Sequence, residues 1–119
     1  MKENNLLQQT IIEGLQEKKG KKIIVADMTK IDGATFDYFI ICQGNSTTHV
    51  TSIAEEMIDY VKKNDHVKPF AFDGFKNSQW VVIDYGNILV HVFLPETREF
   101  YNLEQLWADA KLTDIPDLD

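Results

Sequence analysis

A β-hairpin predicted over residues 79–94 sets the strongest limit on the fold of this chain. Two strand-like segments, 79–85 and 88–94, are separated only by Gly86 and Asn87, a pair that favours a tight turn. A two-residue turn fixes the register, so each strand position has one partner. One surface of the ribbon is then apolar and carries Val81, Ile83, Tyr85, Ile88, Val90 and Val92. We expect this surface to face the core, with Tyr85 opposite Ile88.

The opposite surface of the predicted hairpin is mixed in character. It carries Trp80, Val82, Asp84, Leu89, His91 and Phe93. The register places Asp84 diagonal to His91, so we expect a structural hydrogen bond between them, because no nucleophile lies beside the pair. Trp80 has two interpretations of equal weight. It is either a binding anchor, since tryptophan is enriched among interface hot spots, or a residue that packs on Phe93 beneath a helix.

Two segments upstream of the hairpin, residues 22–27 and 37–43, are almost continuously apolar. This pattern is typical of strands that lie centrally in a sheet or are covered on both faces. The strongest helical periodicity covers residues 50–61, and Ser46 or Thr47 is expected to cap that helix. The order of these elements predicts two strands followed by a helix.

An earlier amphipathic helix is indicated by apolar residues at every fourth position between 7 and 15. Asn5 is the expected N-cap of this helix, and Gly20 is its expected end. Gly14 lies inside the helix and costs about 1 kcal/mol relative to alanine. The helix is therefore expected to depend on docking against the rest of the chain.

The patterns after residue 66 are weaker. A short strand is expected over residues 67–72, where Pro69 favours an edge position, and Asn102 is the expected N-cap of a last helix that buries Trp107. Together the elements predict an α/β fold, a mixed five-stranded sheet with packed helices, in one domain of residues 1–112. The acidic segment 113–119 is expected to fray.

The charge of the chain argues against a direct nucleic-acid partner. Asp and Glu number 19 against 12 Lys and Arg, and the resulting net charge of −7 repels phosphates, so a basic protein partner is expected. The lone Cys42 excludes an internal disulfide, and the first residues lack the apolar run of a secretory signal. No apolar segment approaches the roughly 18 residues that cross a bilayer, so the expected location is cytoplasmic.

Residues 44–46, Gly-Asn-Ser, follow a predicted strand and open a predicted helix, where free N–H groups can bind a phosphate. A plain turn with a serine cap explains the same residues better. The enzyme alternative is a magnesium-dependent nucleotidyl or phosphoryl transferase that uses this turn with Asp73 and Asp84. Such enzymes usually have two carboxylates separated by one residue on a strand, so that both side chains point the same way, and that pair is missing. We therefore expect no enzyme activity, no metal site and no cofactor.

Residues 96–101 follow Pro95 and combine charges with aromatic rings in an expected loop. Two interpretations are open. The segment either lines a binding surface or is a connector in which Arg98 pairs with a nearby carboxylate, an arrangement worth little when exposed.

Four segments of the chain closely resemble the ribosomal silencing factor (Iojap-related) family. They are residues 37–49, 80–86, 90–95 and 98–107, in the order found in the family. The resemblance implies a nucleotidyltransferase-like α/β fold without catalysis. It also implies docking on the large ribosomal subunit through a basic protein of the intersubunit face, universal large-subunit protein fourteen. Such docking blocks joining of the small subunit and lowers translation, and family members tend to form dimers.

The docking contact that we expect on this basis has Trp80 as its desolvated anchor. Tyr85, Asp84 and Asp73 are expected beside it on the hairpin edge and its neighbouring turn. Glu96 and Glu99 are expected to steer a basic partner towards this surface. A second role open to the same surface is that of an adaptor in the assembly of the large subunit, because both roles need the same docked contact.

Overall fold

A mixed β-sheet forms the centre of the structure, a computed structural model that describes residues 2–106 and 109–118. Its strands are β1 (Lys21–Asp27), β2 (Tyr38–Gln43), β3 (Ala71–Asp73), β4 (Trp80–Asp84), β5 (Ile88–Phe93) and β6 (Lys111–Ile115), in the spatial order β3-β4-β5-β2-β1-β6. Only β2 and β5 are paired in parallel among these strands. The mixed α/β class is confirmed, but the described sheet has six strands where five were expected.

The predicted hairpin is present with its predicted register. Ile83 pairs with Val90, Val81 pairs with Val92, and the Tyr85 N–H donates to the carbonyl of Ile88 over 2.9 Å. Gly86 has a φ of 95°, a left-handed conformation that glycine adopts at little cost. The short strand β3 begins later than expected, at Ala71, and lies at the edge of the sheet.

Two long helices, α1 (Lys2–Glu17) and α2 (Thr47–Asp65), form the main core with the sheet. This core includes the buried side chains Ile11, Leu15, Val25, Ile40, Ile53, Met57, Ile83, Val90 and Val92. The central strand β2 has four consecutive buried residues, as its continuous apolar sequence predicts. Within the described residues, no helix is both long and apolar enough to cross a membrane.

The helix ends confirm one predicted cap and correct another. Ser46 caps α2, because its side chain accepts a hydrogen bond from the N–H of His49, and His66 ends the helix in a left-handed conformation. The predicted N-cap at Asn5 is wrong, since α1 already begins at Lys2. Gly20 does help to end α1, because its N–H donates to the carbonyl of Leu15 over 2.9 Å.

The C-terminal part of the chain differs most from the sequence-based expectation. Residues expected to form a loop after Pro95 form the helix α3 (Pro95–Tyr101), and the one-turn helix α4 (Leu103–Leu106) follows. A helix does begin directly after Asn102, as expected, but Asn102 also ends α3: its φ is 46°, and its N–H donates to the carbonyl of Arg98. Trp107 lies outside the described residues.

The segment that was expected to fray contributes to the sheet. Residues 113–115 belong to β6, where Thr113 pairs with Val25 and Ile115 pairs with Ile23. The domain boundary expected after residue 112 therefore falls inside a strand. Asp117 continues the contact, since its side chain accepts a hydrogen bond from the N–H of Lys22 over 2.8 Å. The prediction missed this strand because its partner residues lie far away in the sequence.

Candidate functional site on the sheet face around Trp80

Trp80 begins β4 on the sheet face opposite α1 and α2, and its side chain is half-buried. Its ring stacks on Phe93, with centroids 5.0 Å apart and an interplanar angle of 26°. Tyr101 from α3 lies against the same indole at a centroid distance of 4.8 Å and is itself 47% exposed. Features of both interpretations are therefore present: Trp80 packs on Phe93 next to a helix and still retains exposed surface.

The indole of Trp80 is held by a buried histidine on the next strand. The Nε1–H of Trp80 donates to Nδ1 of His91 over 3.1 Å, and His91 is only 4% exposed. Because Nδ1 accepts this bond, the proton of the neutral ring is on Nε2. Burial lowers the pKa of His91 to about 4, so the ring is neutral at physiological pH.

The hydrogen bond expected between Asp84 and His91 does not form. The register places His91 opposite Val82, and Oδ1 of Asp84 instead accepts the N–H of Gly86 over 2.7 Å. A carboxylate two residues before a turn residue is well placed to accept that residue's N–H, here that of Gly86. This local hydrogen bond forms in place of the one expected with His91. Asp84 therefore has a role in the turn.

A groove of about 300 Å³ lies beside the indole. It is lined by Asp73, Gly74, Lys76, Asn77, Gln79, Trp80, Thr97 and Tyr101. Gly74 has a φ of 99°, and a Cβ atom at this position would lie 2.1 Å from the carbonyl oxygen of Trp80. Only glycine permits so close an approach of the β3–β4 connection to β4. The same close packing brings the exposed carboxylate of Asp73 to the edge of the aromatic surface.

Arg98 ties α3 to the sheet and so positions Tyr101. Its Nε forms an ion pair with Glu104 at 3.0 Å, and its Nη1 donates to the carbonyl of Lys22 at 2.8 Å and to Gln43 at 3.2 Å. Arg98 does pair with a nearby carboxylate, as one of the two interpretations had it, but it is only 9% exposed, so the ion pair is not the weak kind found at an exposed surface. The bonds of Arg98 point inward, while Thr97 and Tyr101 of the same helix line the groove beside Trp80.

The residues expected at the docking contact separate into four groups. Asp73 and Trp80 line one groove, and Glu96 and Glu99 are exposed on α3. Asp84 lies four residues from Trp80, at the other end of β4. Tyr85 belongs to the core: it is 4% exposed and its hydroxyl contacts the sulfur of Met57 at 3.6 Å, so it is not available to a partner.

Sequence reasoning missed the contributions of Thr97 and Tyr101 as helical residues. A signal was present, because Pro95 is favoured at the first position of a helix and the next residue, Glu96, suits the positive end of the helix dipole. In one of its two interpretations, the segment 96–101 was expected to line a binding surface, and Thr97 and Tyr101 from it do line the groove beside Trp80. Its helical form is what places Tyr101 against the indole.

Two backbone donors of the turn at residues 44–46 are already used. The N–H of Gly44 donates to the carbonyl of Phe93 over 2.9 Å, and the N–H of Asn45 donates to Nδ1 of His49 over 2.9 Å. Asp84 lies at the far end of β4 from this turn, because Trp80 pairs with Phe93 and Phe93 pairs with Gln43. Across the described residues, no group of three or more His, Cys, Asp or Glu side chains is arranged to hold a metal ion.

Comparison with known proteins agrees with the resemblance in the sequence. The family model described as "Ribosomal silencing factor during starvation" matches residues 2–119. The ribosomal silencing factor RsfS of Bacillus subtilis is 40% identical over 99 residues, which cover 83% of this chain and 82% of the relative. A mouse relative named "Mitochondrial assembly of ribosomal large subunit protein 1" is 37% identical over 77 residues, which cover 60% of this chain and 32% of the relative.

The fold is also similar to that of a solved structure. A crystal structure of a protein from Chromobacterium violaceum superposes with a TM-score of 0.82 at 32% sequence identity. The superposition covers 87% of this chain and 85% of that one. The shared fold therefore extends over most of both chains.

Proposed function

Because the chain belongs to the ribosomal silencing factor family, we propose that it binds the large ribosomal subunit and sterically prevents the small subunit from joining, which represses translation. The family gives the chain a ribosome-associated, translation-regulating role. The observation that carries the proposed mode of binding is the half-buried Trp80 at the edge of a groove with Asp73 and Tyr101. Tryptophan and tyrosine are the residue types that most often supply the energy of such contacts.

The proposed partner is a basic protein on the intersubunit face of the large subunit, universal large-subunit protein fourteen. Charge supports this choice, because the chain has a net charge of −7 and presents exposed carboxylates at Asp73, Glu96 and Glu99. Complementary charge speeds the encounter and orients the partner, whereas ribosomal RNA would be repelled. The main contact is therefore made to protein.

Steric exclusion requires one stable contact and sufficient bulk. A typical specific interface covers roughly 800 Å² on each partner, about a tenth of the 7194 Å² of surface available here. The molecule measures 36 × 34 × 28 Å, so a docked copy would hold the two subunit surfaces much farther apart than the distance over which their atoms make direct contact. This mechanism needs no chemical step, and the relatives are named as silencing factors, so we propose that the protein is not an enzyme.

The same proposal includes three further properties. The protein is cytoplasmic, its fold is nucleotidyltransferase-like, and it forms a homodimer.

The proposal is tested by replacing Trp80 with alanine and measuring the affinity for purified large subunits. We expect the variant to lose about 2 kcal/mol of binding free energy, roughly a 30-fold increase in Kd. A matched control is Phe72→Ala. Phe72 is 60% exposed, but it pairs with Ile83 and so lies on the other face of the sheet from Trp80. Normal binding by a folded Trp80→Ala variant would refute the anchor, and equal losses in both variants would refute this surface.

A role in the assembly of the large subunit is the second candidate. The name of the mouse relative favours it, because that protein is named for assembly of the mitochondrial large subunit. The two roles differ in which particle is bound. Binding to immature large subunits in preference to mature ones would favour assembly, and binding to mature free large subunits would favour silencing.

A further inference from the structure

His91 lies beneath the proposed docking surface and does not reach solvent. It is 4% exposed and sits on β5, with its ring 4.9 Å from Phe39 and 5.9 Å from Phe93 between centroids. Its Nδ1 accepts the indole N–H of Trp80 over 3.1 Å. A partner seated on the outer surface contacts Trp80, while His91 acts only through Trp80.

The hydrogen bonding of His91 is one-sided. Because Nδ1 accepts, Nε2 carries the proton, and Nε2 is buried with no hydrogen-bond acceptor among the residues that the structure describes. A buried donor without a partner costs free energy that an apolar side chain of similar volume would not incur. Packing alone therefore does not account for a histidine at this position. The favourable contact that it does make is the bond to Trp80.

This bond determines which part of Trp80 a partner meets. Nε1–H is the single polar group of a tryptophan side chain, and here it points to a buried acceptor. Phe93 and Tyr101 fix the plane of the same ring at centroid distances of 5.0 Å and 4.8 Å. The part of the indole that remains exposed is hydrocarbon, held in one orientation by three neighbours.

We propose that His91 is a positioning residue for docking. By taking up the indole N–H, it presents Trp80 as a purely apolar anchor, so the group of the ribosomal partner that sits on this ring is a hydrocarbon side chain and not a hydrogen-bond acceptor. This inference rests on the proposed function. It adds the chemistry of the partner's contact and a buried residue that controls it.

Three substitutions in the full chain test the inference. His91→Leu keeps apolar volume and removes the acceptor, His91→Asn keeps an acceptor oxygen near the position of Nδ1, and Trp80→Phe keeps an aromatic ring and removes the N–H. The measurements are the Kd for isolated large subunits and the solvent exchange of the Trp80 indole proton by NMR. A nitrogen-15 spectrum of the histidine ring reports the tautomer.

We expect the indole proton of the unaltered protein to exchange slowly and Nδ1 of His91 to be unprotonated. His91→Leu is expected to speed that exchange and to raise Kd about tenfold, the value of one lost hydrogen bond, while His91→Asn restores both towards the unaltered values. Trp80→Phe is expected to bind within about threefold of the unaltered protein, because its partner contact is apolar and no hydrogen bond to the partner is lost.

The outcomes separate this inference from the proposed function. If Trp80→Ala fails to bind but a folded His91→Leu binds normally, docking stands and the role of His91 is overturned. If Trp80→Phe loses as much affinity as Trp80→Ala, the indole N–H donates to the partner and the apolar contact is overturned. This comparison can be made even if His91→Leu does not fold. Absence of large-subunit binding by the unaltered protein overturns both.

Discussion

Gly14 offers a prediction in which two known effects have opposite signs. This residue lies in the middle of α1, where alanine is favoured over glycine by about 1 kcal/mol if nothing else contacts the site. In the structure, α1 packs on α2 at this point. A Cβ atom on residue 14 would lie 3.0 Å from the Cα of Met57, 3.1 Å from its Cγ and 3.3 Å from its carbonyl oxygen.

The packing effect is the larger of the two. Carbon atoms in good contact are separated by about 3.5–4.0 Å, so a new methyl group would overlap the α2 backbone by roughly half an ångström. The Met57 side chain can move aside, but its backbone cannot move without shifting the whole helix. Overpacking of this kind costs about 1–3 kcal/mol. After subtraction of the helix propensity gain, Gly14→Ala is expected to destabilise the protein by about 1 kcal/mol.

Urea unfolding followed by circular dichroism measures the change, and thermal unfolding should show a fall in Tm of about 4 °C for a domain of this size. A peptide of residues 2–19 with the same substitution is the control, since it has no α2 and should gain helicity. Large-subunit binding by the folded variant should be unaffected, because Gly14 contacts Met57 on the helical side of the sheet. A protein that becomes more stable by about 1 kcal/mol would refute the packing argument.

Three further substitutions or conditions give expected outcomes. Ser46→Ala removes the cap of α2 and should lower the free energy of unfolding by about 1 kcal/mol in urea titrations, whereas Ser46→Asp should retain most of it. Arg98→Met leaves the half-buried Glu104 unpaired and should lower the free energy of unfolding by about 3 kcal/mol. Adding Glu104→Gln should recover part of that loss. If it recovers none, the two residues are not energetically coupled. The pKa of His91 in the folded protein, about 4, lies below the usual 6.5, so the unfolded state takes up the proton first as the pH falls. The stability that depends on neutral His91 is therefore complete above about pH 6.5. It is lost between about pH 6.5 and 4, by up to about 1.4 kcal/mol per pH unit. Unfolding measured from pH 7 to 4 should show a steeper loss for the unaltered protein than for His91→Asn, and parallel curves would contradict the assignment.

The parts of the fold that were predictable depend on local rules. The register of β4 and β5 follows from a two-residue turn and from alternation of apolar residues, both of which are visible in 16 consecutive positions of the sequence. The cap at Ser46 likewise depends on residues within one helical turn. The central position of β2 follows from its uninterrupted apolar residues.

The parts that were missed depend on distant partners or on ambiguous residues. Strand β6 has four exposed residues and no alternation of apolar residues. It forms because Thr113 and its neighbours pair with β1, which lies almost 90 positions earlier in the sequence. Asn102 was assigned only to a helix start, whereas it ends α3 and also directly precedes α4, because asparagine is favoured both as an N-cap and in the left-handed conformation that ends a helix. No local pattern distinguishes these two uses.

The candidate site was predictable at Trp80 and Asp73, which line one groove, but the helix that brings Tyr101 to the same groove was not. Trp80 was identified from its residue type and its place on the mixed face of the hairpin. The neighbours that define the surface, Asp73 and Tyr101, are brought there by the pairing of β3 with β4 and by the attachment of α3 through Arg98. Tyr85 was placed in the contact although its register position is in the core, where it is found.

The central claim is that a copy docked through the surface around Trp80 keeps the two ribosomal subunits apart. The most direct measurement is the rate and extent of association of purified small and large subunits, followed by light scattering, with increasing amounts of the protein added to the large subunits beforehand. The account predicts that association falls in proportion to occupancy, and that Trp80→Ala requires roughly 30-fold more protein for the same effect while Phe72→Ala behaves as the unaltered chain does. Unchanged association at saturating occupancy of the large subunit would contradict it.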